Sequence, residues 1–355
     1  MFALARKKSV VGLDIGSSTL KAVELTASGK GYKVAVFSTE PVPRDSIVDG
    51  AIVDAEAVAK VVRRLFERNA FTTKEVAASL SGNAVIVKKV SLPAATDAEL
   101  ANSIYWEAEQ HIPFDIQDVT LDYQVLGSRK GSGAKGTMDV LLVAAKKEKI
   151  ADYTSVISQA GCMPVVMDVD AFALQNAYEI NYGSQGGAIV VLLNVGASAI
   201  NINVLGGDQS LFTRDISMGG NDYTEAIEKE LGLPFENAEQ AKKGVPGSGA
   251  SPDELRPVLH AVTDNIMLEI QKTFDFLRAT ASWDRIDRIV LSGGGAAIGG
   301  FAQAIEDRFT APVEFFDPFK RVGVDARTFG LDDPERVAPT AAVAVGLALR
   351  RAGDR

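Results

Sequence analysis

Apolar and polar positions follow two rhythms along the chain. Val10 to Leu13 is a short apolar run that stops at turn residues, the mark of a buried strand. Leu20 to Leu25 resumes as a second strand and Tyr32 to Phe37 as a third, ended by Pro41-Val42-Pro43. Beyond Asp54, which reads as an N-cap, the rhythm changes. Val58, Val61, Val62, Leu65 and Phe66 share one face of a helix, and Arg63, Arg64, Glu67 and Arg68 form its solvated face. Glu75 to Leu80 is again a strand, closed by Ser81-Gly82-Asn83. Three strands, a helix and a strand make half of a doubly wound α/β domain.

The stretch from about Ala84 to Lys147 reads as a compact α+β insert. Val85 to Val90 is a strand, and Thr96-x-x-Glu99 is a capping box opening a helix through about Glu109. His111-Ile112-Pro113-Phe114 stops that helix, Val119 to Leu126 and Met138 to Ala145 are strands, and 129–135 is a Gly/Ser/Lys loop. A helix over Ile150 to Ala160, a strand over Pro164 to Val169 and a helix over Ala171 to Tyr178 follow. Asp168 and Asp170 read as caps of that last helix, the alternative being that one lies near a ligand. Later elements are a strand over Leu211 to Ile216, a helix through Tyr223, Ile227 and Leu231, and a long helix opened by Pro257. A strand over Ile286 to Leu291, a helix over Gly299 to Phe309, an irregular loop over 319–333 and an Ala/Val-rich helix over Thr340 to Leu349 complete the chain.

The candidate chemistry lies in the turns. Gly16, Ser17 and Ser18 follow the first strand and present backbone N–H groups and hydroxyls, as anion-cradling loops do. Asp14 at the strand end suits a hydrated divalent cation, and Lys21 suits a phosphate. The pattern recurs at a constant offset over Ile189 to Ile200: Asn194 falls on Asp14, Gly196 on Gly16 and Ser198 on Ser18. Such a repeat indicates internal duplication, with two facing turns able to clamp a polyphosphate. A third turn, Ser292-Gly293-Gly294-Gly295, follows an apolar strand and would let a flat ring approach the backbone.

Composition narrows the classes. The 355 residues exceed one compact core, and 46% hydrophobic with 23% charged residues is a globular composition. A net charge of -9 argues against general binding to nucleic acid or anionic membrane. Cys162 is the only cysteine, which fits a reducing compartment, and with His111 and His260 it offers no zinc cluster. Met1 to Ala5 is followed by Arg6-Lys7-Lys8, the reverse of a secretory signal. The uncharged stretch from Gly183 to Gly207 carries Asn194, Asn201 and Asn203 and reads as paired strands, not a membrane span.

The ordered set of turns resembles the actin-like ATPase superfamily. That resemblance implies a duplicated, ribonuclease-H-like α/β fold with two lobes around a nucleotide cleft. It implies ATP or ADP with Mg2+, the ion held through water by Asp14 and weakly by Asn194. Gly16, Ser17, Ser18, Thr19 and Lys21 would hold the phosphates from one side, and Gly196, Ala197 and Ser198 from the other. Gly293, Gly294 and Gly295 would underlie the adenine. Gly220 resembles the family's Gly-Gly turn, and Lys243 the segment that reaches the adenosine. No residue is singled out as catalytic. An aspartate is usual where Asn194 stands, and losing one such contact costs roughly 100- to 1000-fold in rate, so slow or no turnover is expected.

The stretch Ser91-Leu92-Pro93, Glu99-Leu100, Ile104 to Glu109 and Ile112-Pro113-Phe114 resembles the PilM family of type IV pilus assembly, relatives of FtsA. This implies a cytoplasmic adaptor, peripheral at the inner membrane through partners, that binds the N-terminal cytoplasmic peptide of PilN in a groove beside the insert. Tyr105, Trp106, Ile112 and Phe114 are the candidate groove residues, core packing being their other reading. The expected divisions are 1–83 and 149–187 for the first-lobe core, 84–148 for its insert, 188–220 and 285–355 for the second-lobe core, and 221–284 for a second insert. An FtsA-like polymerising division protein is the alternative. It is disfavoured by the short polar end from Leu349 to Arg355. A small-molecule kinase of the same fold ranks last.

Overall fold

Each half of the chain begins with an antiparallel meander and continues into parallel strands. The computed structural model describes residues 9–129, 136–280, 285–325, 328 and 337–354. In the first half, β1 (Val11–Ile15), β2 (Thr19–Ser28) and β3 (Gly31–Pro41) form the meander. A two-stranded ribbon of β4 (Ile47–Val48) and β5 (Ala51–Ile52) leads into α1 (Ala55–Arg68) and then β6 (Glu75–Leu80). An insert follows, comprising β7 (Val85–Pro93), α2 (Asp97–Glu109), β8 (Val119–Arg129) and β9 (Thr137–Lys146). The half closes with α3 (Lys147–Gln159) and β10 (Met163–Val169). The helix α4 (Asp170–Tyr182) crosses to the second meander, β11 (Ile189–Val195), β12 (Ile200–Gly206) and β13 (Gln209–Ile216). Then come α5 (Gly220–Leu231), α6 (Phe235–Lys242), α7 (Pro252–Thr280), β14 (Arg288–Ser292), α8 (Phe301–Phe309), β15 (Val313–Phe315) and α9 (Ala342–Ala348).

The two five-stranded sheets have the same plan. Their orders are β3-β2-β1-β6-β10 and β13-β12-β11-β14-β15, and in each the strands beyond the meander join in parallel. The duplication inferred from the repeated turns is therefore the architecture. The uncharged stretch from Gly183 to Gly207 forms the β11–β12 pair, and among the described residues no helix is long and apolar enough to cross a membrane.

Local signals account for most element starts. Asp54 caps α1 by accepting the Ala57 amide at 2.9 Å. The Thr96/Glu99 capping box opens α2. The long helix α7 starts at Pro252, not at Pro257 as the proline suggested. Ser251 and Glu254 form a reciprocal cap there, Pro252 takes the first-turn position where its missing N–H costs nothing, and Pro257 lies within the helix. Neither Asp168 nor Asp170 caps α4: Val169 occupies the cap position without a side-chain bond. Asp168 turns instead toward Arg350, at 3.4 Å. The expected closing helix is a 3-10 turn over Ala338–Ala341 followed by α9. The N-terminal Met1 to Lys8, 130–135 of the insert loop, and 326–327 and 329–333 of the expected irregular loop lie outside the described residues.

Three apolar clusters matter for the cleft. One packs Leu13 and Leu20 against Val58, Val62 and Leu65 of α1 and Ile157 of α3. A second packs Leu193 and Ile202 against Ile266, Ile270 and Phe274 of α7. The third joins the lobes: Val23 and Leu25 of one sheet and Leu192 and Val290 of the other meet Leu174 of α4 and Ala344 and Val345 of α9. The insert has its own core, in which Leu100, Ile104 and Ala108 of α2 pack on Val140 and Leu142.

The joint between lobes depends on missing side chains. A Cβ on Gly346 would lie 1.7 Å from the Ala173 carbonyl oxygen of α4, and one on Gly12 would lie 2.2 Å from the Ala344 carbonyl oxygen. Both contacts are with backbone, which cannot swing aside. Gly346→Ala is therefore expected to cost about 3 kcal/mol, the upper part of the range for overpacking. Gly187→Ala, where nothing lies within 4 Å of the added Cβ, should stay within about 0.5 kcal/mol. Denaturant midpoints measure both, and equal midpoints would contradict the close-packed joint.

Candidate functional site

The two meander turns meet. In β1–β2, Asp14 pairs in register with Lys21, and in β11–β12 Asn194 pairs with Asn201, so the duplication extends to single positions. Gly16 and Gly196 are needed for the same reason: a Cβ on either would sit 2.9 Å from the carbonyl oxygen three residues on. Lys21 Nζ donates to Asp14 Oδ2 at 2.9 Å. Ser17 and Ser198, 181 residues apart, bring their hydroxyls to 2.6 Å. Ser18 and Thr19 sit in the same first turn, Ser18 accepting the Val42 amide at 2.9 Å.

Beneath the second turn lies the start of α5. The Gly220 amide donates to the Gly196 carbonyl at 2.9 Å and the Asn221 amide to that of Ala197 at 2.8 Å. A Cβ on Gly219 would strike both carbonyls, at 2.6 and 2.7 Å, which explains the paired glycines. Lys242, not Lys243, reaches this corner. Its Nζ donates to the Gly220 carbonyl at 3.0 Å and to Thr224 at 2.7 Å, and it pairs with Glu239. Lys243 is 59% exposed and holds the outer oxygen of Glu239 at 3.2 Å. Burial lowers the Lys242 pKa despite Glu239. Burial opposes ionisation of Glu239 as well, but Lys242, Thr224 and Lys243 together leave its pKa below the usual range.

The Gly293–Gly295 turn packs on β11. Gly293 has φ +83°, and a Cβ there would lie 2.3 Å from the Val195 carbonyl oxygen. A Cβ on Gly295 would lie 2.5 Å from a methyl group of Val195. Only Gly294 has open space around it. Two of the three glycines thus serve the packing of the turn, and one leaves room for a ligand.

Asn194 is engaged at both ends. Its Oδ1 accepts from Ser292 at 3.3 Å, and its Nδ2 donates to Asn201 Oδ1 at 2.8 Å. Asn201 Nδ2 donates in turn to Asp215 Oδ1 at 2.8 Å, and the other Asp215 oxygen accepts the Gly82 amide of the first lobe. Asn194, expected to contact a metal weakly, is thus also the centre of a hydrogen-bond relay between Ser292 and Asp215.

Two further aspartates stand at the cleft: Asp170, for which the alternative to capping holds, and Asp215, which the sequence reading left as an ordinary strand residue. Asp170 accepts from Ser79 at 2.5 Å, and Asp215 joins the lobes as described. Burial raises the Asp170 pKa to about 6, helped by the nearby Asp14 charge and opposed by Ser79 and Ser81. Lys149 donates to the Ser81 carbonyl at 2.5 Å, and burial lowers its pKa against the pull of Asp170 and Asp215. The available signal for Asp170 was its place just past a parallel strand, where ligand groups gather in α/β folds.

The four candidate groove residues separate. Tyr105 and Trp106 are 53% and 74% exposed on the outer face of α2. Ile112 is only 6% exposed and belongs to the insert core, so its groove role is not supported by its position. Phe114 packs against that core, with Lys146 Nζ 4.8 Å from its ring centre. The buried series Leu100, Ile104, Ala108 sets the helix phase and leaves Tyr105 and Trp106 outside.

The chain as a whole is similar to several known proteins. The family described as Type IV pilus assembly protein PilM matches residues 12–352. The structure is similar to that of a PilM-PilN type IV pilus biogenesis complex, with TM-score 0.83, 29% identity and coverage of 97% of this chain and 98% of the other. It is similar to ethanolamine utilization protein EutJ from Carboxydothermus hydrogenoformans, with TM-score 0.56, 17% identity and coverage of 96% and 89%. It is also similar to MreB 5 of Spiroplasma citri bound to AMPPNP, with TM-score 0.52, 15% identity and coverage of 96% and 94%. At such identities the last two likenesses concern the fold, which is actin-like. The cell division protein FtsA of Enterococcus faecalis (strain ATCC 700802 / V583) is 21% identical over 358 residues, covering 89% of this chain and 80% of its own.

Two outcomes follow from the charges. The raised Asp170 pKa means that its contribution to stability is present below the usual 3.8 and is lost as pH rises through about 6. The stability advantage of Asp170→Asn over the parent should therefore grow across that window and then level off. Denaturant midpoints at a series of pH values measure this, and a constant difference would contradict it. Asn194→Asp would set a carboxylate against the Asn201 oxygen and should cost about 1–3 kcal/mol. Adding Asn201→Lys recreates the first-lobe pair and should recover at least half of the loss. If the double variant is no more stable than the single one, the relay is not what holds Asn194.

Proposed function

The chain belongs to the PilM family of type IV pilus assembly proteins, and from that premise we propose that it is an ATP-binding adaptor of the inner-membrane pilus assembly complex, holding the N-terminal cytoplasmic peptide of PilN and hydrolysing ATP slowly or not at all. The observation that carries the nucleotide part is the meeting of one turn from each lobe, Ser17 with Ser198, beside the Asp14–Lys21 pair. A triphosphate needs donors from two sides and a cation, and this donor set fits it.

The roles follow from residue chemistry. Asp14 would hold magnesium through its water shell, and Lys21, now paired with Asp14, would turn to a phosphate. Ser17, Ser18, Thr19 and the Gly16 backbone would serve one side, and Gly196, Ala197 and Ser198 the other. Lys242 and Gly220 mark the nucleoside corner, in place of the expected Lys243, and Gly294 gives the base its space. Bound there, the nucleotide would supply a dense negative charge shared by both lobes. Asn194 brings an amide where a charged group would polarise water, and this supports slow turnover.

The partner reading has its own support. The solved relative at 29% identity is a PilM-PilN complex, and Tyr105 and Trp106 are exposed aromatic anchors on the insert. No helix among the described residues is long and apolar enough to cross a membrane, so the proposed attachment is through that peptide.

Calorimetry tests both parts with the full chain. Magnesium-ATP is expected to release heat of binding, weakened at least about 10-fold by Lys21→Ala, as for loss of a charge-assisted bond. A synthetic PilN N-terminal peptide is expected to bind, with Trp106→Ala weakening it by about 10-fold or more. Zero heat with magnesium-ATP overturns the nucleotide reading. Zero heat with the peptide overturns the adaptor reading.

A further inference from the structure

The rim of the cleft carries a contact that none of the foregoing uses. Arg44 follows β3 in the first lobe and reaches Glu228 on α5 in the second. Both guanidinium nitrogens, Nη1 and Nη2, donate to separate Glu228 oxygens at 3.2 Å. The same guanidinium lies 4.3 Å from the ring centre of Phe235, at the start of α6. A planar cation is thus held by a carboxylate and an aromatic face, both from the opposite lobe.

The backbone on each side ties this contact to the turns. Two residues before Arg44, the Val42 amide donates to the Ser18 carbonyl of the first turn at 2.9 Å. On the other side, Glu228 shares α5 with Gly220 and Asn221, whose amides hold the Gly196 and Ala197 carbonyls of the second turn. Arg44 and Glu228 therefore move with the first and second turns respectively. The Ser17 and Ser198 hydroxyls, 2.6 Å apart, close the space between the turns, so a phosphate entering or leaving between them breaks this contact.

We propose that the Arg44–Glu228 pair, stacked on Phe235, is an interlobe latch that sets how fast the turns separate and so controls nucleotide exchange. The latch rests on the nucleotide reading above, although its effect on opening exists without a ligand. The pair lies at the rim and not in the proposed phosphate set. Its loss should change rates of opening while leaving the turn residues in place. Other groups near Arg44 act in the same sense: Asp45 on its own segment, 3.8 Å away, and Glu225 on α5 both favour the cation.

The test uses the full chain, a fluorescent ADP analogue with magnesium, and stopped-flow release. Arg44→Ala and Glu228→Arg should each speed release by about 3- to 5-fold, the upper range for a bidentate pair near a surface. The charge-swapped pair, Arg44→Glu with Glu228→Arg, should return to within about 2-fold of the parent, which a general loss of folding would not do. Release should quicken more steeply with salt in the parent than in Arg44→Ala, where only the phosphate contacts remain to be screened. Unchanged release in both single variants overturns the latch. If the parent binds no nucleotide, the functional reading fails, and hydrogen exchange at the 196–198 amides then decides the latch: faster exchange in Arg44→Ala supports it, and identical exchange overturns it.

Discussion

Two backbone contacts hold this molecule in its shape. Gly346 lets α9 lie directly on the Ala173 carbonyl of α4, and Gly12 lets β1 lie directly on the Ala344 carbonyl of α9. Backbone on backbone is the stiffest packing a chain offers, because no rotamer can relieve it. Around these contacts, Leu174, Ala344 and Val345 join apolar residues of both sheets into one cluster. The lobes therefore share one close-packed joint, built from both sheets, α4 and α9.

From that joint, the cleft inherits its geometry. The two meanders descend from equivalent strands and so bring equivalent turns together. Their chemistry has diverged at one register pair. The first lobe carries the ion pair Asp14–Lys21, and the second carries the neutral pair Asn194–Asn201. The neutral pair is not idle, since it passes hydrogen bonds from Ser292 to Asp215 and so to the first-lobe Gly82 amide. With Asp14, Asp170 and Asp215 already at the cleft, another carboxylate would add repulsion in a poorly solvated place. An amide supplies both a donor and an acceptor without charge.

The insert follows a separate logic. Its core is its own, built by α2 on the three-stranded sheet β7-β9-β8, and it leaves aromatic surface outside. Tyr105 and Trp106 were legible as candidates because aromatics anchor interfaces, and the helix phase set by Leu100, Ile104 and Ala108 is what leaves them outside the core. Ile112 follows the other reading, core packing, and no period could choose between the two for a residue just past a helix end. Lys242 and Lys243 could not be told apart for a related reason: α6 has eight residues, and its phase was too short to read.

The Ser251 cap came to light only in the folded helix, whereas the duplicated turns, the capping box at Thr96 and the uncharged strand pair in mid-chain can be read from the chain alone. These are local: alternation, glycine and cap chemistry act within a few residues of one another. The ordered turns carry the likeness to the actin-like superfamily, and the stretch from Ser91 to Phe114 carries the likeness to the family. Only the tertiary structure decided that Ser17 meets Ser198, that Asp215 crosses to Gly82, and that Asp170 faces the cleft instead of capping its helix. Those partners lie 91 to 181 residues apart. No periodicity encodes such pairs; the packing of two lobes on a shared glycine joint selects them.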